Sequence, residues 1–233
     1  IFSLRQSLLI PAGKTVTVSF WTLIASSKED LLDMVDKHRD RSAYDRAKTL
    51  AWTQAQVQLR HLEINAEEAA DFQQLAAPIL YADARFRSPS TTIMCGAGSQ
   101  STLWTQSISG DLPIVLLRID DIEDIDQVRQ LLRAHEYWHM KRLAVDLVII
   151  NERASSYVQD LQIAIETAVR SSQSRPHLGD QLRQGSAYAL RADLMSAETR
   201  SLLRSVARVV LSARYGTLGN QLNHLLFTLD KKV

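Results

Sequence analysis

The sequence is short of several features that would announce a function. It has one cysteine, Cys95, so an intramolecular disulfide is impossible and a reducing compartment is the simplest interpretation. Its formal net charge of +1 argues against a surface dedicated to nucleic acid. No apolar run reaches the roughly 18–20 residues that cross a membrane, and no signal peptide is visible. Gly-rich phosphate loops, cysteine clusters and serine nucleophile elbows are missing, so no cofactor is expected.

The bulk composition is that of an ordinary globular protein. Hydrophobic residues make up 45% of the 233 residues and charged residues 23%, enough for one large domain or two small ones. The chain starts at Ile1 without an initiator methionine and enters a strand pattern almost at once. We therefore expect it to be a segment of a longer polypeptide.

Three short apolar runs organise the second half of the chain, at residues 113–119, 145–150 and 186–190. Amphipathic helical patterns over 124–141 and 155–172 join them. This alternation predicts an α/β fold built on a short parallel three-stranded βαβαβ unit with flanking helices. The carboxyl ends of the strands are then the expected place for a site.

Two further helices are expected after the third strand, and a different architecture before the first. Residues 197–214 carry helical spacing and Ser196 in a capping position, and a last short helix is expected over about 218–228. Alternating apolar residues on both sides of Pro11 and Gly13 predict a β-hairpin over residues 1–25.

The resulting domain organisation has three parts. Residues 1–26 are expected to be the terminal hairpin of a β-sandwich. Residues 27–107 are expected to be a helical linker region, with three helices over 27–82 and a long loop after them. Residues 108–233 are expected to be a small α/β domain with C-terminal helices.

The most familiar catalytic pattern is His135-Glu136-Tyr137-Trp138-His139, which fits H-E-x-x-H. On a helix this spacing lets two imidazoles share a zinc ion, with the glutamate as general base. A catalytic zinc also needs a third ligand, and the nearest candidate, Glu152, lies beyond the far end of the next strand, roughly 20 Å away. We therefore favour histidines that pack against the sheet or bond a backbone carbonyl, with a zinc metalloenzyme built on His135 and His139 as the alternative.

Carboxylates follow each predicted strand: Asp120, Asp121, Glu152 and Asp193. Converging carboxylates can bind sugar hydroxyls, hold a metal or perform glycoside acid–base chemistry. Acidic residues at such junctions also commonly cap the following helix. For these four carboxylates we favour the structural, helix-capping role over ligand binding or catalysis.

Longer runs of sequence carry a family resemblance. They are QSISGDLPIVLLRI (106–119), QLLRA followed by HEYW (130–138), LAVDLVII (143–150), NERASSYVQD (151–160), LAWTQAQVQLRHL (50–62) and GSAYALRADLMS (185–196). Together with the first hairpin and FWTLIAS they resemble, in the same order, the cyclic β-1,2-glucan synthases. The match is to the carboxyl-terminal portion of that family, which is related to the family 94 glycoside phosphorylases.

The resemblance implies a large, multi-domain, membrane-associated parent that makes cyclic glucans from UDP-glucose. It places this segment between two β-sandwich portions, upstream of an (α/α)6 barrel that holds the general acid. No counterpart of that acid is found here, so no catalytic residue is carried over and no metal is expected. The implied role is a non-catalytic structural or glucan-contacting module on the cytoplasmic face of the inner membrane, or a pure inter-domain scaffold.

The expected partners follow from this role. They are other domains of the parent and β-1,2-glucan, without nucleic acid or membrane contact from this segment. Six residues are the candidates for glucan contact, four at the loop-to-strand entry and two at the strand rim: Trp104, Gln106, Ser109, Asp111, Asn151 and Glu152.

Overall fold

The structure is a computed structural model that describes residues 3–40, 42–96, 98–153, 159–174 and 185–227. The chain forms two units, residues 1–57 and residues 58–233. The domain boundaries expected from the sequence, after residues 26 and 107, stay predictions.

The first unit holds helix α1 (Lys28–His38) and most of helix α2 (Ser42–Leu62), which continues into the second unit. Helix α1 begins where the Ser27 side chain accepts a hydrogen bond from the Asp30 backbone N–H at 3.1 Å. The ring of Trp21 lies 4.6 Å from that of His38, between centroids, at the end of α1.

Of the predicted hairpin, the structure has only the turn. The Lys14 backbone N–H donates to the Pro11 carbonyl at 3.1 Å, and Gly13 has a positive φ of 71°. The described residues on either side, 3–10 and 15–25, are not paired as strands. An isolated two-stranded hairpin is marginal without a surface to cover its apolar face. The paired hairpin is therefore not confirmed.

The second unit alternates helices and strands from residue 58 onward. Helix α3 (Ala66–Tyr81) is followed by two short helices, α4 (Ser90–Cys95) and α5 (Ser101–Trp104), inside the stretch predicted as a loop. The remaining elements are β1 (Ile114–Ile119), α6 (Ile125–Met140), β2 (Asp146–Asn151), α7 (Asp160–Gln173), β3 (Ala187–Arg191), α8 (Ala197–Val206), β4 (Val209–Ser212) and α9 (Leu218–Phe227). Residues 155–158 of the predicted second joining helix, and residue 228 of the predicted last one, lie outside the described residues.

The four strands make one all-parallel sheet in the order β3-β2-β1-β4. In the register, Ile114 lies beside Asp146 and Ile119 beside Asn151. The α/β fold class is confirmed, and its sheet has four strands rather than the three predicted. Strand β2 is buried at every position, which explains the apolar run over residues 147–150 at its centre.

Helices cover both faces of the sheet because alternate residues of each strand point to opposite sides. Val115, Leu117 and Ile119 of β1 face the larger core, together with α3, α6, α7 and α9. Ile114 and Leu116 face the smaller core, with Leu103 of α5 and Leu203 of α8. Helix α8 therefore crosses the opposite face of the sheet on its way from β3 to β4.

The predicted helix over 197–214 is wrong in its second half. Helix α8 ends at Val206, and residues 209–212 form β4, which pairs in parallel with β1 through Val115 and Val209. Leu202, Val206, Val209 and Val210 satisfy helical spacing, but the pair of β-branched valines suits a strand equally well. Burial at the edge of the sheet decides between them, since Val209 and Leu211 are both buried.

The start of α8 gives a first test of this local structure. The Ser196 side chain accepts a hydrogen bond from the Thr199 backbone N–H at 3.1 Å. We expect Ser196→Ala to lower the free energy of unfolding by about 1 kcal/mol in urea titrations, because one N-terminal N–H loses its partner. Ser196→Asp, which keeps an acceptor oxygen, should be close to the parent chain; an equal loss in both variants would contradict the cap.

Candidate functional site

A charged cluster lies at the carboxyl edge of the sheet, on the face that α8 crosses. Arg118 of β1 donates to both carboxylate oxygens of Glu152, from Nε at 2.9 Å and from Nη2 at 2.7 Å. Arg204 of α8 donates to the same carboxylate at 2.7 Å. The bidentate geometry with Arg118 is the strong form of an arginine–carboxylate pair. Glu152 thus ties β1, the end of β2 and α8 together.

The electrostatics of this cluster hold Glu152 in its ionised form. Burial raises the pKa of Glu152, but hydrogen bonds from Arg118 and Arg204 outweigh burial and leave its pKa below the usual value. The hydrogen bond to Glu152 raises the pKa of Arg118, against the opposing effect of burial. A general acid at pH 7 needs the opposite, a raised carboxyl pKa. The cluster is suited to holding elements together.

The other predicted rim carboxylates also have protein partners. Asp120 pairs with Arg214, and the hydrogen bond from Arg191 lowers the pKa of Asp193. Asp121 caps the short 3-10 turn that begins at Ile122, by accepting from the Glu123 backbone N–H at 3.1 Å. Such contacts within the protein are expected if these carboxylates have a structural role.

The order β3-β2-β1-β4 places a topological switch point between β1 and β4. In open α/β sheets, ligands commonly bind beyond the carboxyl ends at such a point. Here the Asp120–Arg214 pair spans it, and the segment after β1 carries Asp120, Asp121, Glu123 and Asp124 instead of glycines. This concentration of negative charge repels a phosphate group.

The two rim residues predicted to contact glucan already form hydrogen bonds within the protein at this carboxyl edge. The Asn151 amide donates to Gln162 at 3.2 Å, and its oxygen accepts from the Arg153 backbone N–H at 3.0 Å. Glu152 holds the two arginines described above. The four entry residues, in contrast, precede β1 at the amino edge, so at ~3.3 Å per residue the two groups lie on the order of 15–20 Å apart. The structure does not bring the six predicted residues together.

At the amino edge, the loop before β1 is organised by α5 and its flanking residues. Gln100 Nε2 donates to the Ser109 carbonyl at 2.8 Å and to Asp111 at 2.9 Å. The indole N–H of Trp104 donates to the same Ser109 carbonyl at 3.2 Å, while 62% of Trp104 is exposed. Gln106 is half-buried and contacts Thr105 instead.

This loop forms one wall of a cleft of about 530 Å³. The other walls come from the end of α3, from α8 and from Arg208, which lies two residues beyond the end of α8. Its main lining side chains are Leu80, Gln100, Leu103, Asp111, Leu202, Val206 and Arg208. The volume is within the range of small-ligand sites, about 300–1,000 Å³. Of the residues predicted from sequence, only Asp111 lines this cleft.

A buried carboxyl lies at the same edge. Asp146 is 2% exposed, and its Oδ1 accepts from the Ser186 backbone N–H at 3.0 Å. Burial raises the pKa of Asp146, the Ser186 N–H opposes this, and the charge of Asp111 raises it further. The amino edge therefore carries negative character from Asp111 with Asp146 behind it.

The histidine pair lies beneath the sheet, on α6. His135 is 4% exposed, and its Nε2–H donates to the Val145 carbonyl at 2.8 Å, as favoured from the sequence. The His135 and His139 rings are 4.1 Å apart between centroids. Gly185 passes directly over the Val145 carbonyl with φ of 98°, where a Cβ would clash. Within the described ranges, no group of three His, Cys, Asp or Glu side chains could hold a metal ion.

With this architecture in place, comparison with known proteins gives a context. The chain is similar to the cyclic β-1,2-glucan synthases, which confirms the resemblance that its sequence runs carry. One relative is cyclic beta-(1,2)-glucan synthase NdvB of Rhizobium meliloti (strain 1021), with 43% identity over 222 residues. The match covers 95% of this chain and 8% of the relative's length. No family model matches the chain. Among the helices of the described residues, none is long and apolar enough to cross a membrane.

Proposed function

We propose that this chain is a non-catalytic module of a cyclic β-1,2-glucan synthase. The observation that carries the proposal is the 43% identity that extends over 95% of the chain. The chain spans about a twelfth of the relative's length. The activity named for that protein is therefore proposed for the whole parent polypeptide, of which this chain is one module. The proposed relation of the parent to glycoside phosphorylases, and its place on the cytoplasmic side of a membrane, belong to the same hypothesis.

The non-catalytic role draws support from the carboxyl edge of the sheet. A glycosidase-like pair needs one carboxyl with a raised pKa opposite an ionised partner, with room for the sugar between them. Glu152 and Asp193 instead have lowered pKa values and are held by arginines, with Arg118 and Arg191 as their respective partners. We infer that these two carboxylates serve in ion pairs within the chain rather than in catalysis.

The expected protein partners are other domains of the same polypeptide. The first unit exposes many large apolar side chains, and exposed apolar patches mark interaction surfaces. The most exposed are Leu4, Leu9, Phe20, Ile24, Leu50 and Trp52, each with more than 60% of its surface accessible. A relative more than ten times as long as the chain provides domains that could cover them.

A segment exchange tests the proposal. The matched segment of the Rhizobium meliloti relative is replaced by this chain, and cyclic glucan production is measured. We expect the exchanged enzyme to retain production and an enzyme lacking the segment to lose it, because the module supports the other domains. The matched control carries this chain with Trp138→Ala, which should destabilise the module and lower cyclic glucan production. An exchanged enzyme that is folded and full-length but makes no cyclic glucan would contradict the proposal.

A further inference from the structure

We propose that the cleft at the amino edge of the sheet binds a segment of uncharged β-glucan. The choice of ligand rests on the proposed function. The position of the binding site rests on the cleft itself. The cleft is bounded by the loop before β1, the end of α3 and α8, with Asp111 and Arg208 among its lining residues.

Asp111 and Gln100 form a fixed polar wall. Gln100 Nε2 donates to Asp111 Oδ1 at 2.9 Å and to the Ser109 carbonyl. Among the residues that the structure describes, this leaves Asp111 Oδ2 and the side-chain oxygen Gln100 Oε1 as acceptors for a ligand. Gly110 lets the loop lie against Gln100, because it has φ of 78° and a Cβ there would come within 3.0 Å of the Gln100 side chain. Sugar hydroxyls are donors that such a preorganised pair of acceptors can bind.

Arg208 supplies the donors on the same cleft. Its backbone N–H bonds the Ile114 carbonyl at 2.9 Å, which fixes its position at the start of β4. Its side chain is exposed, and it forms no ion pair with any residue that the structure describes. A guanidinium has five N–H donors in a planar fork, well suited to the oxygens of a polyol.

The rest of the cleft is apolar. Leu103 and Leu202 are buried in its floor, and Leu80 and Val206 are partly exposed on its walls. Trp104 is one residue beyond Leu103, with its indole N–H anchored on Ser109 and most of its ring exposed. A pyranose ring has C–H faces as well as hydroxyls, so apolar walls with a few convergent polar groups match its chemistry.

The charges favour a neutral ligand over a phosphorylated one. Asp111 balances Arg208 in the lining, and the buried Asp146 lies close enough for the charge of Asp111 to raise its pKa. A phosphate would meet carboxylates on this wall, and like charges repel. An uncharged glucan meets no such penalty.

The test is isothermal titration of the 233-residue chain with linear β-1,2-glucan oligosaccharides, with inorganic phosphate as a second probe. We expect saturable heat with glucan and none with phosphate. Asp111→Asn and Arg208→Met should each weaken glucan affinity about tenfold or more, since each removes a charged hydrogen-bond partner. Arg200→Met, an exposed arginine of α8 outside the cleft, is the matched control and should bind like the parent chain.

The outcomes separate this inference from the proposed function. Circular dichroism confirms that each variant is folded; if Asp111→Asn is not, Val206→Phe, which narrows the cleft, takes its place and should weaken binding. No heat at millimolar glucan, or affinity unchanged in both cleft variants, overturns the site. If the titration fails in this way but the segment exchange still yields cyclic glucan, the proposed site is wrong and the proposed function stands. If the exchanged enzyme is folded and inactive, the proposed function has failed, whatever the titration shows.

Discussion

Trp138→Ala is expected to lower the free energy of unfolding by about 3–5 kcal/mol, the largest effect of any single substitution considered for this chain. Trp138 is 1% exposed in the core between α6 and α3, and its indole N–H donates to the Phe72 carbonyl at 2.8 Å. Truncation leaves a cavity and removes this hydrogen bond, and neighbouring helices fill such cavities only in part. Urea denaturation followed by far-ultraviolet circular dichroism measures the change.

Trp104→Ala is the matched control for Trp138→Ala. Trp104 is 62% exposed and contributes one hydrogen bond at the surface, to the Ser109 carbonyl. Its loss should cost about 1 kcal/mol or less. Equal destabilisation by the two substitutions would contradict the packing of α6 against α3.

Glu152→Gln should cost about 2–3 kcal/mol at pH 7, because a partly buried pair of arginines loses the charge that neutralises it. The value is below that of a fully buried pair, since Arg118 and Arg204 keep 36% and 38% of their side-chain surface exposed. Glu123→Gln, at an exposed position, is the control and should change stability by less than about 0.5 kcal/mol.

The contribution of Glu152 to the free energy of unfolding should also depend on pH in a defined direction. Burial raises the pKa of Glu152 but the arginine hydrogen bonds lower it more, so the folded-state pKa lies below the ordinary value of 4.5. A carboxyl with a lowered pKa stabilises the fold above that ordinary value, and the contribution is lost as pH falls through the folded-state pKa. The stability difference between the parent chain and Glu152→Gln should therefore be full at pH 7 and shrink below about pH 4.5. A difference that grows on acidification would contradict the assignment.

The sequence predicted those parts of the fold that depend on local pattern. The buried runs that became β1 and β2 stand out because most of their positions are apolar, and the Ser196 cap marks the start of α8. Strand β4 was missed because Val209 and Val210 continue the spacing of the preceding helix. This segment forms a strand because it pairs in parallel with β1 at the edge of the sheet.

The candidate site was less accessible to sequence reasoning, for a topological reason. Asp111 and Arg208 are nearly a hundred residues apart, and α8 brings them to one cleft by crossing the sheet from β3 to β4. Glu152 was recognised as a rim residue, but its role depends on the parallel pairing of β1 with β2, which brings the residue after β2 within reach of the Arg118 side chain. A signal existed for Arg118, the only charged residue in the apolar run of β1.

The most direct test of the proposed glucan site is a nuclear magnetic resonance titration of the isotopically labelled chain with linear β-1,2-glucan. We expect the backbone amide signals of Gln100, Asp111 and Arg208 to shift with a common saturation curve, while those of Asn151 and Glu152 stay in place. Shifts centred on Asn151 and Glu152, with none at the amino edge, would contradict it and return the site to the carboxyl ends of the strands.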